Sequence, residues 1–353
     1  MLDARLKEWY GDQAFWISKA PEIRTYTSSF FLRYPIITSD GRKFLLVKIR
    51  RRATMRSLTE AILDSGLHVN MRNEYHSLEA IHKVIGTDHD HLGAIRPLAY
   101  LENWYALVME EYPSVSLREL LMRWGVVMGR EGSMKTLRDA ARKAGRWMHS
   151  FHNEFPAGSD TEPAREIMDS LNRYATQLEN SSRGAIKAEW LREIFAAKMP
   201  LIAAFRLPVS QTHGDMTCDN VLYSRDHKLC TIDVKGRIGP IYSDLALLLI
   251  HPETFKLQVF TLGGFFRKSV LRSYRKAIID GYFGNVFQDT LLINLYCALM
   301  LVDKWARYED NASRYRGIKR IVARLMFPLS RHYFKNRINT YLNATTQADT
   351  ASA

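Results

Sequence analysis

The first third of the chain alternates short apolar runs with turn residues, which is typical of β-strands. Phe30–Ile37 and Lys43–Ile49 are rich in β-branched and aromatic residues, and Ser39-Asp40-Gly41 joins them. An Asp-Gly pair between two such runs favours a tight β-hairpin. Two further strand-like runs follow at Leu98–Leu101 and Tyr105–Met109. The pattern therefore predicts a β-rich N-terminal region.

Two helices are predicted within this region. Ser57 with Glu60 three residues later forms a capping-box signature, which marks a helix start. In the next helix the apolar residues recur at helical spacing, at Met71, Tyr75, Leu78, Ile81 and Ile85.

Beyond Tyr112 the hydrophobic period becomes helical for most of the remaining chain. A second capping box, Ser116 with Glu119, opens this part, and a small strand-rich island spans Pro208 to Ile241. Strands followed by helices predict an α+β fold of two lobes, residues 1–112 and 113–342, with residues 343–353 as a disordered tail.

Composition narrows the class of protein. The chain has 353 residues, of which 46% are hydrophobic and 25% charged, as in globular proteins, and this excludes collagen-like and low-complexity chains. The N-terminus lacks the pattern of a signal peptide, and Leu291–Val302 is too short to span a bilayer. Three cysteines without a CxxC pair fit a reducing compartment. We therefore expect a cytoplasmic protein.

The formal net charge of +13 lies in two segments. Arg42–Arg56 holds seven Lys/Arg and no acid, and Asp303–Arg337 holds ten Lys/Arg and three acids. Such a balance favours an anionic partner. Because the rest of the chain is close to neutral, a uniformly basic nucleic-acid binder is not expected, and no nucleic-acid-binding module is recognisable.

Three oxygen-bearing side chains in the strand-rich island have the spacing that phosphoryl transfer needs. Asp215 follows His213-Gly214, Asn220 lies five residues later, and Asp233 ends a second apolar run. A kinase uses one carboxylate to position the acceptor hydroxyl and further oxygen ligands to hold Mg²⁺ against the nucleotide phosphates. These three residues supply that set.

The wider motif resembles the aminoglycoside phosphotransferase and choline kinase-like superfamily, which has the protein kinase-like fold. It comprises His213-Gly214-Asp215, Asn220, Ile232-Asp233, Gly239-Pro240 and Asp244-Leu245-Ala246. By this resemblance Asp215 is the catalytic base, Asn220 and Asp233 are the Mg²⁺ ligands, and Asp244 braces the catalytic loop through its backbone. His213 is then a structural residue of the loop.

The resemblance extends to the N-terminal region. Lys48 stands where kinases carry the phosphate-binding lysine, and Glu74 looks like its ion-pair partner, with Glu79 a weaker substitute. Leu107–Tyr112 resembles the strand that binds adenine, so Glu110 and Tyr112 are candidate nucleotide contacts. Phe151-His152 resembles the family's Leu-His signature.

Two departures from the family pattern affect the expected site. The phosphate-covering loop, Thr25–Ser29, has no glycine, so Ser28 and Ser29 are expected to contact phosphate through hydroxyl and backbone N–H groups. Lys235 and Arg237 follow Asp233 closely, and two cations there would suit an acceptor that already carries negative charge.

Several features have simpler interpretations. A polar turn would also contain Asp and Asn, but the motifs before and after it argue against that. A pseudokinase would lack part of the set Lys48, Asp215, Asn220 and Asp233. Asp88-His89-Asp90-His91 is explained by a polar loop better than by a metal site, and nothing near Cys218 indicates a nucleophile.

The sequence thus predicts an ATP- and Mg²⁺-dependent phosphotransferase. Its acceptor would be a hydroxyl of a small molecule: a sugar, an amino alcohol, an aminoglycoside or a lipid-linked saccharide. The alternative is a nonenzymatic kinase-like scaffold, or a protein that binds anionic membrane surfaces. In the C-terminal basic segment, Ile321, Val322 and Leu325 alternate with Lys/Arg, which predicts a helix with its apolar face toward the protein and its basic face outward. Two interpretations of that basic face stay open: a solvated surface, or a peripheral contact with an anionic membrane or a lipid-linked saccharide.

Overall fold

The structure is a computed structural model that describes residues 2–26, 28–86, 92–126, 134–158, 161–284 and 290–350. The chain divides into two compact units. Unit 1 comprises Met1–Val115 and Leu222–Gly236, and unit 2 comprises Ser116–Val221 and Arg237–Ala353. A short segment from the middle of the chain therefore belongs to the N-terminal unit, which a single boundary near residue 112 does not capture.

Unit 1 contains a sheet and three helices, formed by β1 Phe15–Trp16, β2 Glu22–Thr25, β3 Ser29–Thr38, β4 Gly41–Arg50, β5 Pro97–Leu101, β6 Ala106–Glu110, α1 Leu2–Tyr10, α2 Leu58–Leu63 and α3 His68–Ile85. Among the described residues the sheet is antiparallel with six strands, in the order β1-β3-β4-β6-β5 with β2 paired to β3. The predicted hairpin is confirmed: β3 and β4 pair along their whole length around the Asp-Gly turn, where Gly41 has a φ of +103°.

Helix α3 covers one face of this sheet. Its apolar stripe, Met71, Leu78, Ile81 and Ile85, is buried, and Met71 and Leu78 pack with Leu107 and Met109 of β6. The predicted helical period is therefore confirmed. The same period places Glu74 on the buried face of α3, because it lies three residues after Met71 and four before Leu78.

The inserted segment of unit 1 is a small hairpin. Strands β9 Val221–Ser224 and β10 Leu229–Thr231 pair with each other, and β9 also pairs with β7 Ser114–Ser116. Cys230 and Ile232 pack into the cluster around Leu107, and the Gly93 N–H donates to the Leu229 carbonyl at 2.7 Å. The hairpin thus carries the residue that follows it, Asp233, into unit 1.

Unit 2 is mainly helical. Its elements are α4 Leu117–Trp124, α5 Met134–Glu154, α6 Pro163–Ser181, α7 Glu189–Ala196, α8 Met199–Ile202, α9 Ile241–Ile250, α10 Lys256–Phe260, α11 Lys268–Phe283, α12 Thr290–Ser313, α13 Ile318–Thr350, and the paired strands β8 Val209–Thr212 and β11 Arg237–Pro240. Helix α5 packs on α11, and α12 packs on α6, α9 and α13. The Ser116–Glu119 capping box is present as predicted.

Helix α13 runs from Ile318 to Thr350. The predicted inward apolar face is wrong for Ile321, Val322 and Leu325, which are exposed. Among the described residues, no helix is both long enough and apolar enough to cross a membrane.

Candidate active site

Lys48 lies on β4 with its side chain buried inside unit 1. Its Nζ donates to Glu74 Oε1 at 2.6 Å and also pairs with Asp233 Oδ1. The side chains of Lys48 and Glu74 are 3% and 2% exposed, whereas that of Asp233 is 37% exposed. Three residues from a strand, a helix and the inserted hairpin therefore meet at one buried ammonium group. Glu79, the alternative to Glu74, instead accepts from the Tyr75 hydroxyl at 3.2 Å on the exposed side of α3.

The charges around Lys48 keep it protonated. Burial alone lowers the pKa of this lysine, but the carboxylates of Glu74 and Asp233 outweigh burial, so the pKa lies above its ordinary value. Arg50, two residues along the same face of β4, donates through Nη2 to Glu74 Oε2 at 2.9 Å. Glu74 is thus fully paired, and the ammonium has a fixed position.

Asp233 has an unusual backbone conformation. Its φ is +60°, in the left-handed region that non-glycine residues seldom adopt. Such a conformation persists only where surrounding contacts hold it, and it occurs often at functional sites. Here the hairpin before Asp233 and the ion pair with Lys48 hold the residue.

The other residues of unit 1 that are expected to contact the nucleotide lie at or near strand ends. Ser28 lies between β2 and β3, next to Thr27, which is outside the described residues, and Ser29 begins β3. The Ser28 carbonyl accepts a hydrogen bond from the Arg51 N–H at 2.9 Å. Glu110 ends β6 and its carboxylate pairs with Lys43 at 3.2 Å. Tyr112 packs in the cluster around Leu107, and burial raises the pKa of its hydroxyl.

In unit 2, Asp244 holds the loop that carries Asp215. Its Oδ2 accepts from the His213 N–H at 2.5 Å, and its Oδ1 accepts from the Gly214 N–H at 3.0 Å. Asp244 also lies 3.3 Å from His152 Nε2. Burial alone raises the pKa of Asp244, but the contact with His152 and the backbone N–H groups outweigh burial and lower it, so this carboxylate stays charged.

Asp215 and Asn220 are joined within the same loop. The Asn220 Nδ2 donates to the Asp215 carbonyl at 2.8 Å, which leaves the amide oxygen of Asn220 as the atom that can bind a cation. The Asp215 N–H donates to His213 Nδ1 at 3.3 Å, and the Asp215 side chain is partly exposed. The loop geometry thus fixes the backbone on both sides of the Asp215 carboxylate.

A second set of contacts supports the middle of the loop. The Cys218 N–H donates to His251 Nδ1 at 3.2 Å, and His251 Nε2 lies 3.7 Å from Asp219 Oδ2. Arg118 donates through Nη1 to Asp219 Oδ1 at 3.1 Å. Burial raises the pKa of the Cys218 thiol to about 12, so the thiol stays protonated and does not act as a nucleophile.

The two cations expected near the acceptor belong to different units. Lys235 is exposed in unit 1, and Arg237 is exposed at the start of β11, where its carbonyl accepts from the Thr212 hydroxyl at 2.8 Å. The segment Asp88–His91 lies outside the described residues. Within the described ranges no cluster of three or more His, Cys, Asp or Glu side chains is arranged to hold a metal.

Two supporting residues, Arg50 and His251, were not predicted from the sequence. Arg50 was detectable, because alternation along a strand places it on the same face as Lys48. His251 carries no sequence signal, since it contacts Cys218 only through the fold. The His152 signature residue gains its contact with Asp244 in the same way.

Comparison with known proteins agrees with this fold. Residues 36–283 match the model of the phosphotransferase enzyme family, which is about seven-tenths of the chain. The chain therefore belongs to this family and has its protein kinase-like fold. None of the curated protein sequences matches the chain significantly.

Solved structures show the same fold at low sequence identity. A putative aminoglycoside phosphotransferase from Ralstonia eutropha is 12% identical, with a TM-score of 0.56 over 95% of this chain and 98% of that one. The macrolide 2′-phosphotransferase of Brachybacterium faecium is 13% identical, with a TM-score of 0.51 over 92% and 97%. The choline kinase of Streptococcus pneumoniae is 14% identical, with a TM-score of 0.50 over 97% and 99%.

Proposed function

We propose that this protein transfers the γ-phosphoryl group of ATP to a hydroxyl of a small molecule. The observation that carries the proposal is the buried ion pair of Lys48 with Glu74, with the partly exposed Asp233 at the same ammonium group, in a chain of the phosphotransferase family. A lysine held in place by a glutamate is the arrangement that a protein kinase uses to bind nucleotide phosphates.

Each residue has a distinct part in the proposed reaction. Lys48 binds the nucleotide phosphates. Glu74 holds Lys48 in place, and Arg50 in turn holds Glu74. Asp215 accepts a hydrogen bond from the acceptor hydroxyl, orients it for in-line attack and takes its proton as the phosphoryl group transfers. Asp244 keeps the loop backbone in position, so little reorganisation accompanies the reaction.

Magnesium is the proposed metal, with Asp233 of unit 1 and Asn220 of unit 2 as its proposed ligands. The carboxylate of Asp233 and the amide oxygen of Asn220 are hard oxygen ligands, which Mg²⁺ prefers. When bound with the nucleotide, Mg²⁺ offsets the negative charge of the β- and γ-phosphates. Asp233, which pairs with Lys48 in the structure, would hold the metal through its carboxylate when nucleotide is bound.

The acceptor is proposed to be a small hydroxyl compound. The solved structures of the same fold include enzymes named for aminoglycosides, macrolides and choline, all of which carry hydroxyl groups. Sugars and lipid-linked saccharides complete the set to be tested. The exposed cations Lys235 and Arg237 favour acceptors that carry a phosphate or carboxylate.

The first test is substitution of Asp215 by Asn. Loss of the general base and of hydroxyl positioning is expected to lower kcat by about 10²- to 10⁴-fold while nucleotide binding persists. The measurement is ATP consumption over a panel of sugars, sugar phosphates, amino alcohols and aminoglycosides, with ATP binding followed by calorimetry.

The matched control is Asp280→Asn, because Asp280 pairs with the exposed Lys276 on α11. This variant should keep the parent turnover. If the Asp215→Asn variant turned over at the parent rate, Asp215 would not be the catalytic base.

A further inference from the structure

Part of helix α13 presents an apolar stripe to solvent. The exposed fractions of its side chains are 61% at Ile321, 52% at Val322, 72% at Leu325 and 38% at Leu329. At about 100° per residue these four positions fall within an arc of about 100° on the helix surface. Four aliphatic side chains on one exposed arc form a continuous apolar surface and not a scatter of single residues.

The sequence around this stripe is rich in basic residues. From Arg314 to Arg331 it has six Lys/Arg and no Asp or Glu, and of these Arg314 pairs with Asp310 and Arg331 with Glu309. In the helical register, positions 319 and 324, which are Lys and Arg, lie about 60° beyond the two edges of the apolar arc. An apolar arc bordered on both sides by cations is the pattern of a helix that lies in the interface of a membrane.

We propose that the N-terminal part of α13 binds the surface of an anionic lipid bilayer, with Ile321, Val322, Leu325 and Leu329 inserted among the acyl chains. The basic residues contact the phosphate groups of the lipids, and the helix lies in the plane of the surface. This agrees with the finding that no described helix is able to cross a membrane.

Charge and surface chemistry favour lipid over other occupants. In a symmetric contact with a second copy of the chain, this segment would face itself, so its basic positions between the ion-paired Arg314 and Arg331 would lie against the same basic positions of the other copy. Nucleic acid would satisfy the charges but would leave the four aliphatic side chains against a polar partner. An anionic bilayer satisfies both features, because charge and apolar surface act together in interfacial binding.

The test uses flotation of the full chain with vesicles. The parent is expected to bind vesicles of phosphatidylcholine containing about 30% phosphatidylglycerol, and to bind pure phosphatidylcholine at least about tenfold more weakly. The double variant Ile321→Ser/Leu325→Ser should lose at least about tenfold in partitioning. Lys319→Gln/Arg324→Gln should lose about tenfold on the anionic vesicles only, and raised salt should have the same effect.

Matched controls carry the same substitutions elsewhere. Leu63 and Val69 are 77% and 66% exposed in unit 1, so Leu63→Ser/Val69→Ser tests the loss of exposed apolar side chains in general. Arg165 and Arg225 are exposed cations outside α13, and Arg165→Gln/Arg225→Gln tests the loss of charge. Both controls should bind vesicles as the parent does, and so should Asp215→Asn, which separates this proposal from the proposed phosphotransferase activity.

Three results would overturn the proposal. One is equal binding of the parent to neutral and anionic vesicles, which would show that the basic residues do not contribute to binding. Another is binding by Ile321→Ser/Leu325→Ser at the level of the parent, which would show that the apolar stripe does not contribute to binding. The third is a parent dimer, seen by analytical ultracentrifugation, that the same double variant converts to monomer, because a second copy would then cover this face.

Discussion

At the scale of single residues, each candidate catalytic group depends on a buried partner of opposite charge or a backbone donor. Glu74 holds Lys48, and Asp244 holds the loop of Asp215 through two N–H groups. A buried charge is tolerated only when it is paired and hydrogen-bonded. The same partners that make these groups stable in the interior therefore fix their positions for chemistry.

His251 gives the loop a pH-dependent contact. Burial is the main cause that lowers the pKa of His251 to about 4, and the charge of Lys304 adds to it. An unfolded histidine titrates near pH 6.5, so between about pH 4 and 6.5 the unfolded chain binds more protons than the folded one. The free energy of unfolding should therefore fall by about 3 kcal/mol as pH drops through this window.

The check is urea unfolding over a pH series for the parent and His251→Asn. An asparagine oxygen can accept from the Cys218 N–H without titrating, so this variant should show a shallower pH dependence between about pH 4 and 6.5. The control is His76→Asn, because His76 is exposed on α3. If the free energy of unfolding varied with pH in the same way for the parent and for His251→Asn, His251 would not be the source of this pH dependence.

At the scale of secondary structure, helices α5 and α11 approach closely, and this contact positions side chains that support the loop of Asp215. An added Cβ at Gly145 would lie 2.1 Å from the Ile278 carbonyl oxygen, and one at Gly281 would lie 2.0 Å from the Arg142 carbonyl oxygen. Both obstacles are backbone atoms, so the helices would have to move apart. Helix α5 carries His152, and α11 carries Tyr282, whose hydroxyl lies 2.8 Å from His152 Nδ1.

Gly145→Ala is expected to lower the free energy of unfolding by about 3 kcal/mol, because overpacking against backbone cannot be relieved by a rotamer change. Denaturant unfolding measures the effect. Gly239→Ala is the control, since the nearest atom to its new Cβ would be Thr212 Cγ2 at 3.8 Å, an ordinary contact. Equal stability of the Gly145→Ala variant and the parent would show that the two helices separate easily.

At the scale of the whole molecule, the net charge of +13 has more than one use. In the first basic segment Lys48 and Arg50 pair with Glu74, Arg52 pairs with Asp64 at 2.8 Å, and Lys43 pairs with Glu110. Much of that charge is therefore used in ion pairs within unit 1. In the second segment Arg307, Arg314, Arg331 and Arg337 also pair with carboxylates, and the remaining basic positions include those beside the exposed stripe of α13.

Nucleotide binding is testable on the whole chain without knowledge of the acceptor. A ligand that binds only the folded state at about 100 times its Kd adds about 2.7 kcal/mol to the free energy of unfolding, so ATP with Mg²⁺ should raise Tm by a few degrees. Lys48→Met should abolish this shift. Lys43→Met on the same strand should retain it, and a parent chain without any shift would favour the scaffold hypothesis.

Much of the fold followed from the sequence because its signals are local. The Asp-Gly hairpin, the period of α3 and the Ser116–Glu119 cap each depend on residues a few positions apart. The motif from His213 to Asp244 was equally readable, and it lies within the residues that match the family model. These features are set by backbone geometry and short-range hydrogen bonds, which the order of residues determines directly.

Only the tertiary structure decided which distant residues meet and which apolar residues remain outside. The pairing of Lys48 with Asp233, the contact of His251 with Cys218 and the assignment of residues 222–236 to unit 1 join residues far apart in the chain. The exposure of Ile321, Val322 and Leu325 is of the same kind, because a helical period defines an apolar face but not the surface that covers it. That choice depends on packing between elements, and packing is a property of the folded chain as a whole.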